Sequence, residues 1–156
     1  MGDAQVVRLL VFRVGNLTCA AAAEVVREIL PWLHTTRIPG APPVVAGLVN
    51  VRGTLVTVVD GWKALGQPEP AARTEGGGAG TLVLLQIGGE QKTIGFTVDE
   101  VVDMLAVNAD ALEPRQALPG LDPRLVRAVG RRREQLFIVL DTDALLGPVL
   151  TTREEP

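Results

Sequence analysis

The sequence predicts a mainly β protein made of two similar halves, each a small barrel of short strands. Two observations carry that expectation. Apolar runs rich in β-branched residues are closed by tight turn pairs, and the order of these runs recurs once along the chain. Composition sets the frame: the 156 residues are 47% hydrophobic and 21% charged, too apolar for disorder and too broken by charge for membrane spans. No apolar run approaches the ~20 residues that a spanning helix needs. A chain of this length buries roughly two-thirds of the surface it exposes when unfolded, so a core forms without staples.

Taken in order, the β-branched residues 6–14 meet the turn pair Gly15-Asn16, which predicts a strand entering a hairpin with its return at 17–21. In 24–30, Val25, Val26 and Ile29 fall on one helical face, so a helix ended by Pro31 is expected. After an extended stretch at 35–43, residues 44–51, the turn Arg52-Gly53 and residues 55–59 form a second hairpin. Gly47 inside that strand predicts a bulge or a close approach by another backbone.

The order then returns: a strand at 81–87, the turn Gly88-Gly89, a strand at 93–98, and Glu100-Val101-Val102 echoing Glu24-Val25-Val26. Residues 135–141 mirror 54–60, and a leucine and a glycine follow each at equal spacing, Leu65-Gly66 and Leu146-Gly147. Asp60 and Asp141 each stand where a strand hands over to a short helix. A carboxylate there accepts bonds from N–H groups that the helix leaves unpaired, so capping is their expected role. Each half thus offers about five short strands, and strongly twisted strands close into a barrel because closure removes free edges. The Gly- and Pro-rich segment 66–80 reads as a mobile loop between the repeats. The alanine run 20–23 has little bulk, which suits a helix packed close to a strand.

Several function classes are excluded on chemical grounds. A net charge of −3 disfavours nucleic acid, which needs clustered cations, and three phenylalanines beside Trp32 and Trp62 give no stacking platform. The glycine run 76–80 precedes a strand, whereas a phosphate loop must open a helix. His34 is the only histidine and Cys19 the only cysteine, which leaves no imidazole pair for a metal and makes Cys19 a buried hydrophobe without a disulfide partner in the chain. Asp99, Glu100 and Asp103 lack the glycine of calcium loops and are expected at a solvated helix start. The run Arg131-Arg132-Arg133-Glu134 is expected in the last hairpin turn, where charge serves solubility. No basic stretch precedes the first apolar residues, and Arg8 and Arg13 interrupt them, so no signal peptide is expected. Catalytic, metal and cofactor residues are all expected to be absent; a β-barrel enzyme or ligand module is the disfavoured third reading.

One set of segments is more specific: Val26-Arg27-Glu28-Ile29, Arg37-Ile38-Pro39, Gly47-Leu48-Val49-Asn50-Val51-Arg52-Gly53, Val58-Val59-Asp60, and residues 94–101. Together they resemble the CheW family of chemotaxis coupling proteins. The resemblance runs from about Leu9 to Leu146, and the Asn-x-Arg-Gly hairpin is its sharpest piece. It implies two SH3-like five-stranded barrels packed together with a few short helices, with 6–150 as one domain of two intertwined subdomains and 151–156 as a C-terminal tail. It further implies a non-enzymatic cytoplasmic adaptor at membrane-associated arrays, bridging the cytoplasmic tip of methyl-accepting chemoreceptors to the regulatory domain of a CheA-type histidine kinase, with no membrane insertion. The alternative is a CheW-like scaffold of a motility or developmental pathway. Positions that match the family's receptor contacts are Val26, Glu28, Gly47, Arg52 and Met104, while no kinase-contact residue is assigned. Two departures bear on partner choice: Ala21 and Ala22 stand where the family often has a glycine and a large apolar residue, and Gly61-Trp62 where it often has a leucine. An ion pair between Glu28 and Arg52 is also compatible with the residue types.

Overall fold

The computed structural model describes residues 5–68, 80–88, 92–114 and 118–152. Two sheets make up most of it. Strands β1 (Val6–Val14) and β2 (Leu17–Ala22) form the first hairpin. A 3-10 turn, Ala23–Val25, leads to β3 (Val26–Pro31), and β4 (Val45–Val51) and β5 (Thr54–Val59) form the next hairpin, followed by the short helix α1 (Gly61–Ala64). The second round comprises β6 (Thr81–Ile87), β7 (Lys92–Val98), β8 (Glu100–Asn108), the two-residue β9 (Glu113–Pro114), β10 (Val126–Arg132), β11 (Gln135–Leu140) and helix α2 (Thr142–Thr152).

The strand orders are β8-β1-β2-β11-β10-β9 in a six-stranded sheet and β3-β6-β7-β5-β4 in a five-stranded one. Each repeat is therefore divided between the sheets. The hairpin β1-β2 joins strands β8 to β11, and the hairpin β6-β7 joins strands β3 to β5. Parallel pairs seal the exchange, with Cys19 opposite Ile138 and Phe96 opposite Val59.

This division explains why the central strands are apolar without alternation. In β1, Leu10, Phe12 and Val14 enter a core shared by both sheets, while Leu9 and Val11 enter a core on the other face of their own sheet. Strand β6 does the same with Val83, Leu85 and Ile87 on one side and Leu82 and Leu84 on the other. A strand buried on both faces reads as a continuous apolar run. Phe12 and Phe96 meet edge to face in the shared core, their ring centroids 6.2 Å apart.

Each sheet is also linked across its own ends. β3 and β4 are opposite edges of the five-stranded sheet, yet Arg52, just after β4, bonds Glu28 in β3. Thr36, just after β3, exchanges two backbone bonds of 2.8 Å with Leu48 in β4. In the six-stranded sheet, Asp103 of edge strand β8 bonds Arg132 of β10. Both sheets must curl to make these contacts.

Four expectations are corrected. Residues 26–31 form a strand and not a helix: Val26, Glu28 and Leu30 are half-buried, Arg27, Ile29 and Pro31 are exposed, and the strand pairs with β6. An isolated helix of two turns has little stability of its own, so β-branched residues beside an open sheet edge join the sheet. For the same reason the acidic run from Asp99 opens strand β8 instead of a helix. Arg131 and Arg132 belong to β10, leaving Arg133-Glu134 as the turn. Ala20 and Ala21 sit in a central strand between β1 and β11, where they leave room for Phe137 and for the shared core. The other hairpins lie where the turn pairs placed them, Gly89 and most of the 66–80 loop being outside the described residues. Asp60 and Asp141 do cap: Asp60 accepts from the N–H groups of Trp62 and Lys63, and Asp141 from that of Ala144.

Candidate partner-binding site

Two arginine–carboxylate pairs stand at the tips of the two sheets. The turn between β4 and β5 has Arg52 at φ 50° and Gly53 at φ 89°, the paired positive values that match hairpin twist. Asn50 stabilises it, its Oδ1 accepting the N–H of Gly53 at 2.7 Å. This explains the Asn-x-Arg-Gly spacing: asparagine closes the turn and glycine takes the left-handed position at no steric cost. Arg52 is thereby presented at the tip, where it forks onto Glu28, Nη1 donating to Oε2 at 3.0 Å and Nη2 to Oε1. The bonds from Arg52 hold the Glu28 carboxyl below its ordinary range and in return raise the guanidinium.

Gly47 serves the same edge. The register of β4 against β5 shifts between Val45 and Gly47, and Gly47 has φ 150°. A Cβ there would overlap the carbonyl oxygen of Thr36, so both a bulge and a close backbone approach require the glycine. Val26 lies at the start of β3, opposite Leu85 and half-buried against the shared core. Val26, Glu28, Gly47 and Arg52 therefore all lie on edge strands of the five-stranded sheet or its turn. Met104 does not: it lies on β8, the edge of the other sheet, opposite Leu10 and 54% exposed.

Sequence reasoning missed three features. The exposed apolar side chains Ile29 and Leu55 flank Glu28 and Arg52 in the chain, and an alternating reading of 26–31 would have found Ile29. The pair Asp103–Arg132 was not legible from the duplication, which matches Arg52 with Arg133 and not with Arg132. A third feature is a polar knot on Asp99, whose Oδ2 accepts the Gly15 N–H at 2.9 Å and Arg13 at 3.2 Å, and whose Oδ1 accepts the Trp62 indole N–H at 2.8 Å. It ties the first hairpin turn, α1 and the β7–β8 junction together, and gives Trp62, unusual at its place in the resemblance, a bonded partner.

Residues 8–148 match the CheW-like domain family. The chain belongs to that family. It is 28% identical over 141 residues to the chemotaxis protein CheW of Bacillus subtilis, covering 89% of this chain and 86% of that protein. It is 26% identical over 142 residues to the probable chemotaxis protein CheW of Rhizobium etli, again covering 89% and 86%. Its fold is shared with the crystal structure of the scaffolding protein TtCheW from Thermoanaerobacter tengcongensis, at TM-score 0.77 and 19% identity over 88% of this chain and 90% of that one. The relatives of this CheW-like chain are chemotaxis proteins. Among the described residues no helix is long and apolar enough to cross a membrane.

Proposed function

We propose that this CheW-like chain couples the cytoplasmic tip of methyl-accepting chemoreceptors to the regulatory domain of a CheA-type histidine kinase. It does so by contact alone, in the cytoplasm at membrane-associated arrays. The observation that carries the reading is the presentation of Arg52. Its backbone is fixed by a two-residue turn and its guanidinium is oriented by Glu28, so it meets a partner with little conformational freedom left to lose. A guanidinium has five N–H donors, of which the fork uses only part, so donors remain for carbonyls or carboxylates of a receptor helix. Ile29 and Leu55, exposed and close to Glu28 and Arg52 in the chain, supply apolar contact. Val26, Glu28, Gly47 and Met104 complete the proposed receptor contacts.

The test is Arg52→Ala, followed by a denaturation curve and a titration against a receptor-tip fragment. The unfolding midpoint is expected to stay at the parent value while the complex weakens roughly tenfold or more, the loss that accompanies charge-assisted bonds. Early melting with normal binding would return Arg52 to the scaffold. If both curves match the parent, the receptor reading fails and the motility or developmental scaffold takes its place.

A further inference from the structure

Asp103 bridges two points of the six-stranded sheet: its Oδ1 accepts the backbone N–H of Met104 at 2.8 Å, and its Oδ2 accepts Arg132 Nε at 3.0 Å. The arrangement is similar to the Glu28–Arg52 pair, with its arginine one residue earlier than the duplication, which matches Arg52 with Arg133, would place it. In β3 one unmatched residue, Arg27, precedes Glu28 in the register with β6; in β8 one unmatched residue, Val102, precedes Asp103 in the register with β1. Each acid thus follows a bulge on an edge strand and meets an arginine of a hairpin: Glu28 meets Arg52, in a turn of positive φ, and Asp103 meets Arg132, the last residue of β10 before the positive-φ turn Arg133-Glu134. The residue after each acid is a large apolar side chain facing solvent, Ile29 at 43% and Met104 at 54% exposure.

The two pairs differ in one respect. Arg52 is 69% exposed, whereas Arg132 is only 20% exposed and is spent on Asp103. Arg132 is therefore poorly placed to touch a partner itself. A bulge bends and twists its strand, so the direction of the flexible Met104 side chain depends on what fixes the residue before it. We propose that Asp103 and Arg132 form a positioning pair that sets Met104 for the receptor tip; this rests on the reading of Met104 as a receptor contact.

The experiment is a double-mutant cycle on the full chain with the same receptor-tip fragment, read together with hydrogen exchange at the Met104 amide. Arg132→Ala is expected to weaken binding about fivefold, the effect of one lost bond, and to speed exchange at Met104. The double variant Arg132→Ala/Met104→Ala should bind no more weakly than Met104→Ala, because the arginine acts only through the methionine. Arg132→Lys, which keeps the charge, should recover most of the loss. Additive losses with unchanged Met104 exchange would make Arg132 a contact in its own right and overturn the proposal. Weaker binding by Met104→Ala with no effect of Arg132→Ala would remove the positioning role alone and leave the receptor reading standing. Unchanged binding by Met104→Ala would end that reading and the proposal with it. Should Arg132→Ala fail to fold, Asp103→Asn keeps an acceptor for the Met104 amide while giving up the charge. A smaller loss in the same direction supports the proposal, and none overturns it.

Discussion

Burial decides what Cys19 can do. The thiol is enclosed in the shared core, and loss of water pushes its pKa from 9.0 up to about 12. The thiolate is the reactive form, so native Cys19 should resist an aromatic disulfide reagent at pH 8 and react at once in urea. Prompt reaction without denaturant would show an opening that this core does not contain. The same shift makes the group unfavourable to folding in alkali. Between 9.0 and about 12 the unfolded chain loses this proton while the folded chain keeps it, so stability falls as pH rises. Glu28 has the opposite sign. Its carboxyl is lowered chiefly by the bond from Arg52, so its contribution is present above the ordinary glutamate range and is lost as pH falls through the folded value. Carbon NMR of the Glu28 carboxyl should show a titration below that of an ordinary glutamate, returning upward in Arg52→Ala. A parent that titrates normally would mean the fork does not persist in solution.

At the level of elements, the edge strands carry the recognisable residues and the central strands carry the stability. Gly47 shows how closely an edge is specified. Its bulge admits the Thr36 segment, whose two backbone bonds to Leu48 extend the sheet beyond β4. Gly47→Ala should cost roughly 1–3 kcal/mol from the strained backbone alone, with displacement of Thr36 adding to it. A urea midpoint equal to the parent would exclude the bulge. The fold was legible here wherever a turn pair marked a hairpin, because turn chemistry is local. Strands β3 and β8 were not legible, since each hydrophobic pattern is short enough to fit a helix, and only the sheet edge offered by β6 or β1 selects the strand.

For the whole molecule, the exchange of hairpins predicts how it unfolds. The shared core draws from strands of both sheets and from α2, with Phe96 fully buried at its centre. Neither sheet can keep that face dry without the other, so one cooperative transition is expected. Tryptophan fluorescence and far-UV circular dichroism should give coincident curves, and Phe96→Ala should lower stability by about 3–5 kcal/mol while keeping the transition single. Two separated transitions would show that the sheets stand alone.

The sequence by itself determined the β class, the duplication, the hairpin turns, the two aspartate caps and the Arg52 turn. All of these rest on contacts between residues close in the chain or on a pattern repeated along it. Only the tertiary structure decided that each repeat gives its hairpin to the other repeat's sheet, and that Met104 lies apart from Glu28 and Arg52. It alone set Asp103 against Arg132 and Asp99 against Trp62. Those partners are tens of residues apart, and they meet because apolar strands must be covered on both faces, a demand that local preference does not express.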